Sequence, residues 1–135
     1  MRLKQFYYLI FLLCSTSFFA QETYLDTFSS TSYSNNNGTQ NFSGNWVEQN
    51  DNNSAFNGRI RVTGGRLRFR NLDSGWIYRF VPLAGASSAT LTLDYDATSA
   101  GGEAIDVFVY NADSNQWNFI QRIENGTGSI TYNLS

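Results

Sequence analysis

The feature that most constrains this chain is its punctuation. Ser, Thr, Asn and Gly fill 49 of the 115 positions after Ala20, and between their clusters lie short runs of β-branched and aromatic residues. Those four residue types favour turns and loops. No window places apolar residues at i, i+3, i+4 and i+7 over ten or more positions, so no amphipathic helix is expected. Short strands separated by turn signals at this spacing point to an all-β, two-sheet antiparallel sandwich. Nine strands are expected: residues 24–28, 46–48, 59–63, 66–71, 76–81, 89–95, 104–110, 117–123 and 129–134. The loop 29–45 and the loop 49–58 are polar, and turns are expected at Leu72-Asp-Ser-Gly75 and Gly101-Gly102.

The first twenty residues read differently. Arg2 and Lys4 precede the apolar run Phe6–Leu13, and a polar stretch leads to Ala20. A basic start, a short apolar core and a small residue at the cut form a secretory signal. The run is too short for a membrane span, which needs roughly 20 residues. Cleavage is expected after Ala20, leaving one domain, 21–135, exported to the surface or beyond. Cys14 invites a lipoprotein alternative, but Leu13 before it is a poor match to the small residue such sites need.

Removing that segment takes away the only Lys and the only Cys and leaves seven Arg against eleven acids. The whole chain has no His. This excludes a disulfide framework, a Cys-rich or His-ligated metal site, and His-dependent nucleophilic catalysis. A hydrophobic core must hold the fold. Net acidity and export argue against a nucleic-acid partner.

The hairpin around Gly64-Gly65 is the sharpest local feature. A two-residue type I′ turn pairs Val62 with Leu67, Arg61 with Arg68, Ile60 with Phe69 and Arg59 with Arg70. Ile60, Val62, Leu67 and Phe69 then share a core face. The opposite face carries five of the seven arginines, with like charges directly opposed, a mildly destabilising arrangement. Acidic neighbours such as Asp94, Asp96, Glu103 or Asp106 would offset it. Alternatively Arg59, Arg61, Arg68 and Arg70 form an anion site for an acidic glycan or a partner's carboxylates.

Three further residue sets carry chemistry. Asp94 and Asp96 share one side of a strand end, with Glu103 beyond a Gly-rich loop. Hard oxygens at a loop suit calcium, although the spacing matches no calcium-loop signature. Asp51-Asn52-Asn53 is a second oxygen-rich candidate. Calcium is thus the one cofactor the residues could take; otherwise none is expected. Paired carboxylates can hydrolyse glycosides, but eleven acids guarantee pairs, and nothing marks one as catalytic. Trp46 and Trp117 are candidate platforms for sugar rings, weighed against the core, where most sandwich aromatics go. Trp76, Tyr78 and Phe80 fall on one strand face, opposite Ile77, Arg79 and Val81. Trp117, Phe119 and Gln121 alternate with Asn118, Ile120 and Arg122. The Asn-x-Thr triplets at Asn37 and Asn125 matter only in a host that glycosylates them.

Asp26-Thr-Phe28, Ser43-Gly-Asn-Trp-Val-Glu48, Val62-Thr-Gly-Gly-Arg-Leu-Arg-Phe69, Leu83-Ala-Gly-Ala-Ser-Ser-Ala-Thr-Leu-Thr-Leu-Asp-Tyr-Asp96 and Gly101-Gly-Glu103 follow one another in this order. Together they resemble a jelly-roll module of large secreted or surface proteins of Bacteroidota, adhesin-like and often carrying a type IX sorting domain. The resemblance covers about Tyr24 to Leu134. It implies a non-catalytic, jelly-roll-like β-sandwich that binds an extracellular glycan or a surface protein in adhesion. It also implies further strands beyond Ser135, so the sequence reads as an incomplete domain. The alternative is an accessory domain of a secreted peptidase or glycoside hydrolase whose catalytic part lies beyond residue 135.

Overall fold

The structure is a computed structural model that describes residues 21–72, 74–98 and 102–134. The expected signal segment, Asp73 and Gly101 lie outside the described residues. The chain is all-β. Its strands are β1 (Val47–Gln49), β2 (Ile60–Val62), β3 (Leu67–Phe69), β4 (Trp76–Tyr78), β5 (Thr90–Ala97), β6 (Ile105–Asn111), β7 (Gln116–Ile123) and β8 (Gly126–Asn133). All pair antiparallel, β1 with β4, β2 with β3, β5 with β8 and β6 with β7. In each half of the chain an outer pair therefore brackets an inner hairpin. The sandwich-like, all-β character expected from the sequence is present, built from four two-stranded sheets. No described helix is long and apolar enough to cross a membrane.

The β2–β3 hairpin has the expected register, with Ile60 opposite Phe69, Arg61 opposite Arg68 and Val62 opposite Leu67. Gly64 and Gly65 both adopt positive φ, 61° and 70°, as a type I′ turn requires. Thr63 N–H donates to Arg66 O and Arg70 N–H to Arg59 O, closing the ladder at each end. That pairing turns the N–H and C=O groups of Ile60 and Val62 outward to the other edge of β2. There Val62 N–H donates to Ala55 O, Ile60 N–H donates to Asp51 Oδ2 at 2.7 Å, and Ile60 O accepts from the Tyr33 hydroxyl at 3.0 Å. The polar loop 50–59 thus stands in for a neighbouring strand and leaves the edge covered.

Ile60 and Val62 are the most deeply buried apolar side chains. Val62 meets Tyr33 and Ala55, and Phe28, Trp46, Leu67 and Ile77 pack around them. This core lies between β2–β3, β1–β4 and the N-terminal loops.

Residues 24–28 are not a strand, contrary to expectation. Tyr24 makes only an isolated parallel bridge to Gln40. Apart from Leu25 O, which accepts from Asn37 N–H, the segment hydrogen-bonds through side chains: Asn37 Oδ1 accepts from Thr27 N–H, and Asp26 Oδ1 accepts from Phe28 N–H at 2.7 Å. Phe28 sits at a φ of 52°, which ends any extended run. The β-propensity of Tyr, Leu and Phe is overridden by these local Asx contacts.

On the outer face of the hairpin, Arg66 pairs with Asp96 at 2.8 Å, one of the acidic neighbours expected there. Arg61 and Arg68 remain directly opposed. Replacing Arg68 by Glu puts opposite charges face to face and should stabilise the fold by about 0.2–1 kcal/mol. A higher urea midpoint is the expected reading; an unchanged or lower one would mean that the Arg68 stem contributes more through packing than its charge costs.

Candidate aromatic binding face

The second half of the chain exposes several of its rings, among them Trp76, Phe80, Phe108, Trp117 and Phe119. In β6–β7, Tyr110 lies opposite Trp117 and Phe108 opposite Phe119. Their ring centroids are 5.0 and 5.5 Å apart. Trp117 and Phe119 are 53% and 57% exposed, far more than a core aromatic would be. The opposite side of this sheet carries Ile105, Val107, Val109 and Ile123, half-buried or buried.

A β-bulge interrupts this sheet. Val107 faces Gln121, but the next residue, Phe108, faces Phe119, so Ile120 is the extra residue on β7. The bulge shifts the alternation that the sequence implies. Arg122, not Gln121, joins Trp117 and Phe119 on the aromatic side. There it lies opposite Asp106 and grips it with two bonds of 2.7 Å, from Nε and Nη2. Arg122 holds the Asp106 carboxyl below its usual range by this hydrogen bonding and charge, and is itself pushed up by Asp106. A charged fork therefore stands at one end of an exposed aromatic row.

The row continues onto β4. Trp76, Tyr78 and Phe80 share one face, as the alternation predicts. Trp76 stacks on Tyr78 at 5.2 Å, Tyr78 meets Phe80 edge-on at 5.3 Å, and Trp76 meets Trp117 edge-on at 6.1 Å. Phe80 to Tyr110 is thus one continuous chain of ring contacts. Such offset and edge-to-face pairs hold rings in fixed orientations. Tyr110 is further fixed by its hydroxyl hydrogen bond with Asn115 Oδ1, at 2.5 Å.

The other residues singled out in the sequence are placed as follows. Trp46 is half-buried, its ring 6.2 Å from Phe28 and its indole N–H donating to Asp26 Oδ2 at 2.9 Å. It belongs to the core and is not part of the aromatic face. Arg59, Arg68 and Arg70 are exposed, and Arg61 is half-buried. Arg70, Asp96 and Glu103 line one groove of about 200 Å³ with Phe69 and Ile105. Asp94, opposite Ser129, is exposed and is not among the groove's lining residues. Among the described residues, no group of three or more Asp, Glu, Cys or His side chains is arranged to hold a metal ion.

One arrangement was not anticipated from the sequence. Arg79 is on the inward side of the β4 extension, and its side chain is 2% exposed; that of its partner Asp26 is 4% exposed. Arg79 Nη1 donates to Asp26 Oδ2 and to Asn35 O, and its Nε to Gly44 O, each at 2.8 Å. The guanidinium also lies 3.8 Å over the Phe42 ring. Burial pulls the guanidinium below its usual value, while Asp26 acts in the opposite direction. These contacts tie the loop 29–45 to β4. The available signal was an Arg in register with inward-facing Ile77, which demands a buried acceptor.

No protein-family model matches the chain, and no curated protein or solved structure matches it significantly.

Proposed function

We propose that this chain is a secreted, non-catalytic surface-binding module for adhesion, and that it takes glycans on the aromatic face of β4, β6 and β7. The observation that carries the reading is the continuous ring array from Phe80 through Tyr78, Trp76 and Trp117 to Tyr110, with the Asp106–Arg122 fork on the same side of β6–β7 as Trp117. Flat ring faces stack on the apolar faces of sugars. A carboxylate and a guanidinium beside them supply acceptors and donors for hydroxyls. Contiguous exposed apolar surface of this kind ordinarily marks an interaction site. The resemblance to Bacteroidota surface modules and the signal-like first twenty residues support export and an adhesive role. The exposed Arg68 and Arg70 extend the reading toward acidic glycans.

The test is a glycan array probed with the chain, followed by titration of the best hit. Trp76→Ala and Trp117→Ala are each expected to weaken binding about tenfold or more, equivalent to roughly 1.4 kcal/mol. Trp46→Phe, in the core, should leave affinity unchanged. Binding to no glycan, or binding that survives both tryptophan replacements, would overturn the proposal.

A further inference from the structure

Beneath the loop 50–59 lies a cluster of oxygens short of donors. Glu48 lies on β1 and is 6% exposed. Its Oε1 accepts from the Tyr33 hydroxyl, while Oε2 is buried with no partner. The same hydroxyl faces Ile60 O at 3.0 Å and Ser54 O at 3.5 Å. A phenol has one proton, so three acceptors compete for a single donor. At the same residue, Asp51 accepts from Ile60 N–H through Oδ2. Glu48 Oε1, Ser54 O and Ile60 O thus surround one phenol proton, and Asp51 holds the N–H of the same Ile60. A buried carboxylate oxygen without a donor is costly.

We propose that this cluster is a calcium site, with Glu48 Oε2, the Asp51 carboxylate and Ser54 O as the protein ligands. Every atom offered is a hard oxygen, which selects calcium or magnesium over zinc or copper. The ligands come from a strand and an irregular loop, and calcium accepts such irregular geometry where magnesium demands a near-ideal octahedron. The cation supplies the positive charge that Glu48 lacks and leaves the Tyr33 proton for Ile60 O. Asn52 adds an amide at the rim, its Oδ1 accepting from Ser54 N–H at 3.1 Å. Gly58, at a φ of 101°, lets the loop close over these groups: a Cβ there would stand 2.7 Å from both Asp51 Oδ2 and Asn52 Oδ1.

Thermal unfolding of the full chain with millimolar calcium chloride, compared with chelator, reads the site. Calcium is expected to raise Tm by several degrees, with a dissociation constant of about 10⁻⁴–10⁻³ M by titration calorimetry. Asp51→Asn keeps an oxygen for Ile60 N–H but removes the charge. It should keep the wild-type Tm in chelator and lose the calcium response. Glu48→Gln should lose it also. Asp96→Asn, at the other acidic cluster, should retain it. No Tm shift and no heat at 10 mM calcium would overturn the proposal, as would a calcium response that survives Asp51→Asn or disappears with Asp96→Asn.

Discussion

Asp26→Ala is expected to cost about 3–5 kcal/mol of folding free energy, the range for removing one partner of a buried ion pair. The carboxylate serves three donors at once. Oδ2 accepts from Arg79 Nη1 and from the Trp46 indole, Oδ1 accepts from Phe28 N–H, and the charge balances a guanidinium that water hardly reaches. Alanine takes this acceptor from Phe28 N–H and the Trp46 indole and leaves Arg79 Nη1 with Asn35 O alone. Arg79 Nη2 already lacks a partner, so the buried guanidinium is left with two neutral carbonyls, Asn35 O and Gly44 O, and no counter-charge. Most of the loss comes from stranding the charge, which separates this site from a surface pair such as Arg66–Asp96. There the same change should cost no more than about 1 kcal/mol. Replacing both partners, Asp26→Leu with Arg79→Met, removes the stranded charge and should recover part of the loss. Recovery stays incomplete, because Gly44 O and Asn35 O lose their donor. Urea unfolding followed by tryptophan fluorescence measures both variants. A loss below about 1 kcal/mol for Asp26→Ala would show that the pair contributes little, and a double variant no better than the single would point to lost packing.

Features set by local chemistry were legible in the sequence. Gly64-Gly65 could adopt positive φ twice, so the turn type, the register and the inward set Ile60, Val62, Leu67 and Phe69 followed from two adjacent residues. The Trp76, Tyr78, Phe80 face followed from the period of two. Features that depend on distant partners were not legible. The segment 24–28 has strand-like composition, yet its backbone is claimed by Asp26 and by Asn37. The bulge at Ile120 leaves no mark in the alternation of β7, and it alone moves Arg122 onto the aromatic side. Of the candidate tryptophans, Trp117 is exposed and Trp46 buries its indole N–H against Asp26. Nothing local separates the two; only the distant partner Asp26 draws Trp46 inward. The ring array likewise depended on β4 meeting β7, a contact between residues about forty positions apart. The hairpin arginines were legible as a charged face, but only the structure assigns Asp96 to Arg66.

Gly38→Ala is expected to cost about 2–3 kcal/mol, the range for forced overpacking, although the change adds a single methyl group. Gly38 lies where the loop 29–45 returns past residues 23–25. A Cβ there would fall well inside the contact distance of Thr23 O and 2.8 Å from Leu25 N. Both neighbours are backbone, which cannot swing away as a side-chain tip can. The two segments must therefore separate. Separation breaks Gln40 N–H to Thr23 O and Asn37 N–H to Leu25 O, along with the reciprocal bonds between Thr23 and Thr39. It also pulls on Asn35, whose carbonyl holds Arg79, so the damage should reach the buried ion pair. Gly44→Ala is the matched control, because a Cβ there meets nothing within 4 Å and the Gly44 carbonyl that accepts from Arg79 is retained. It should change stability by no more than about 0.5 kcal/mol. Hydrogen exchange separates a local cause from a general one: Gly38→Ala should speed exchange first at the amides of Asn37 and Gln40, ahead of β5–β8. Equal effects at Gly38 and Gly44 would mean that the loop carries no more constraint at one glycine than at the other, and that the approach of residues 23–25 does not hold this corner of the fold.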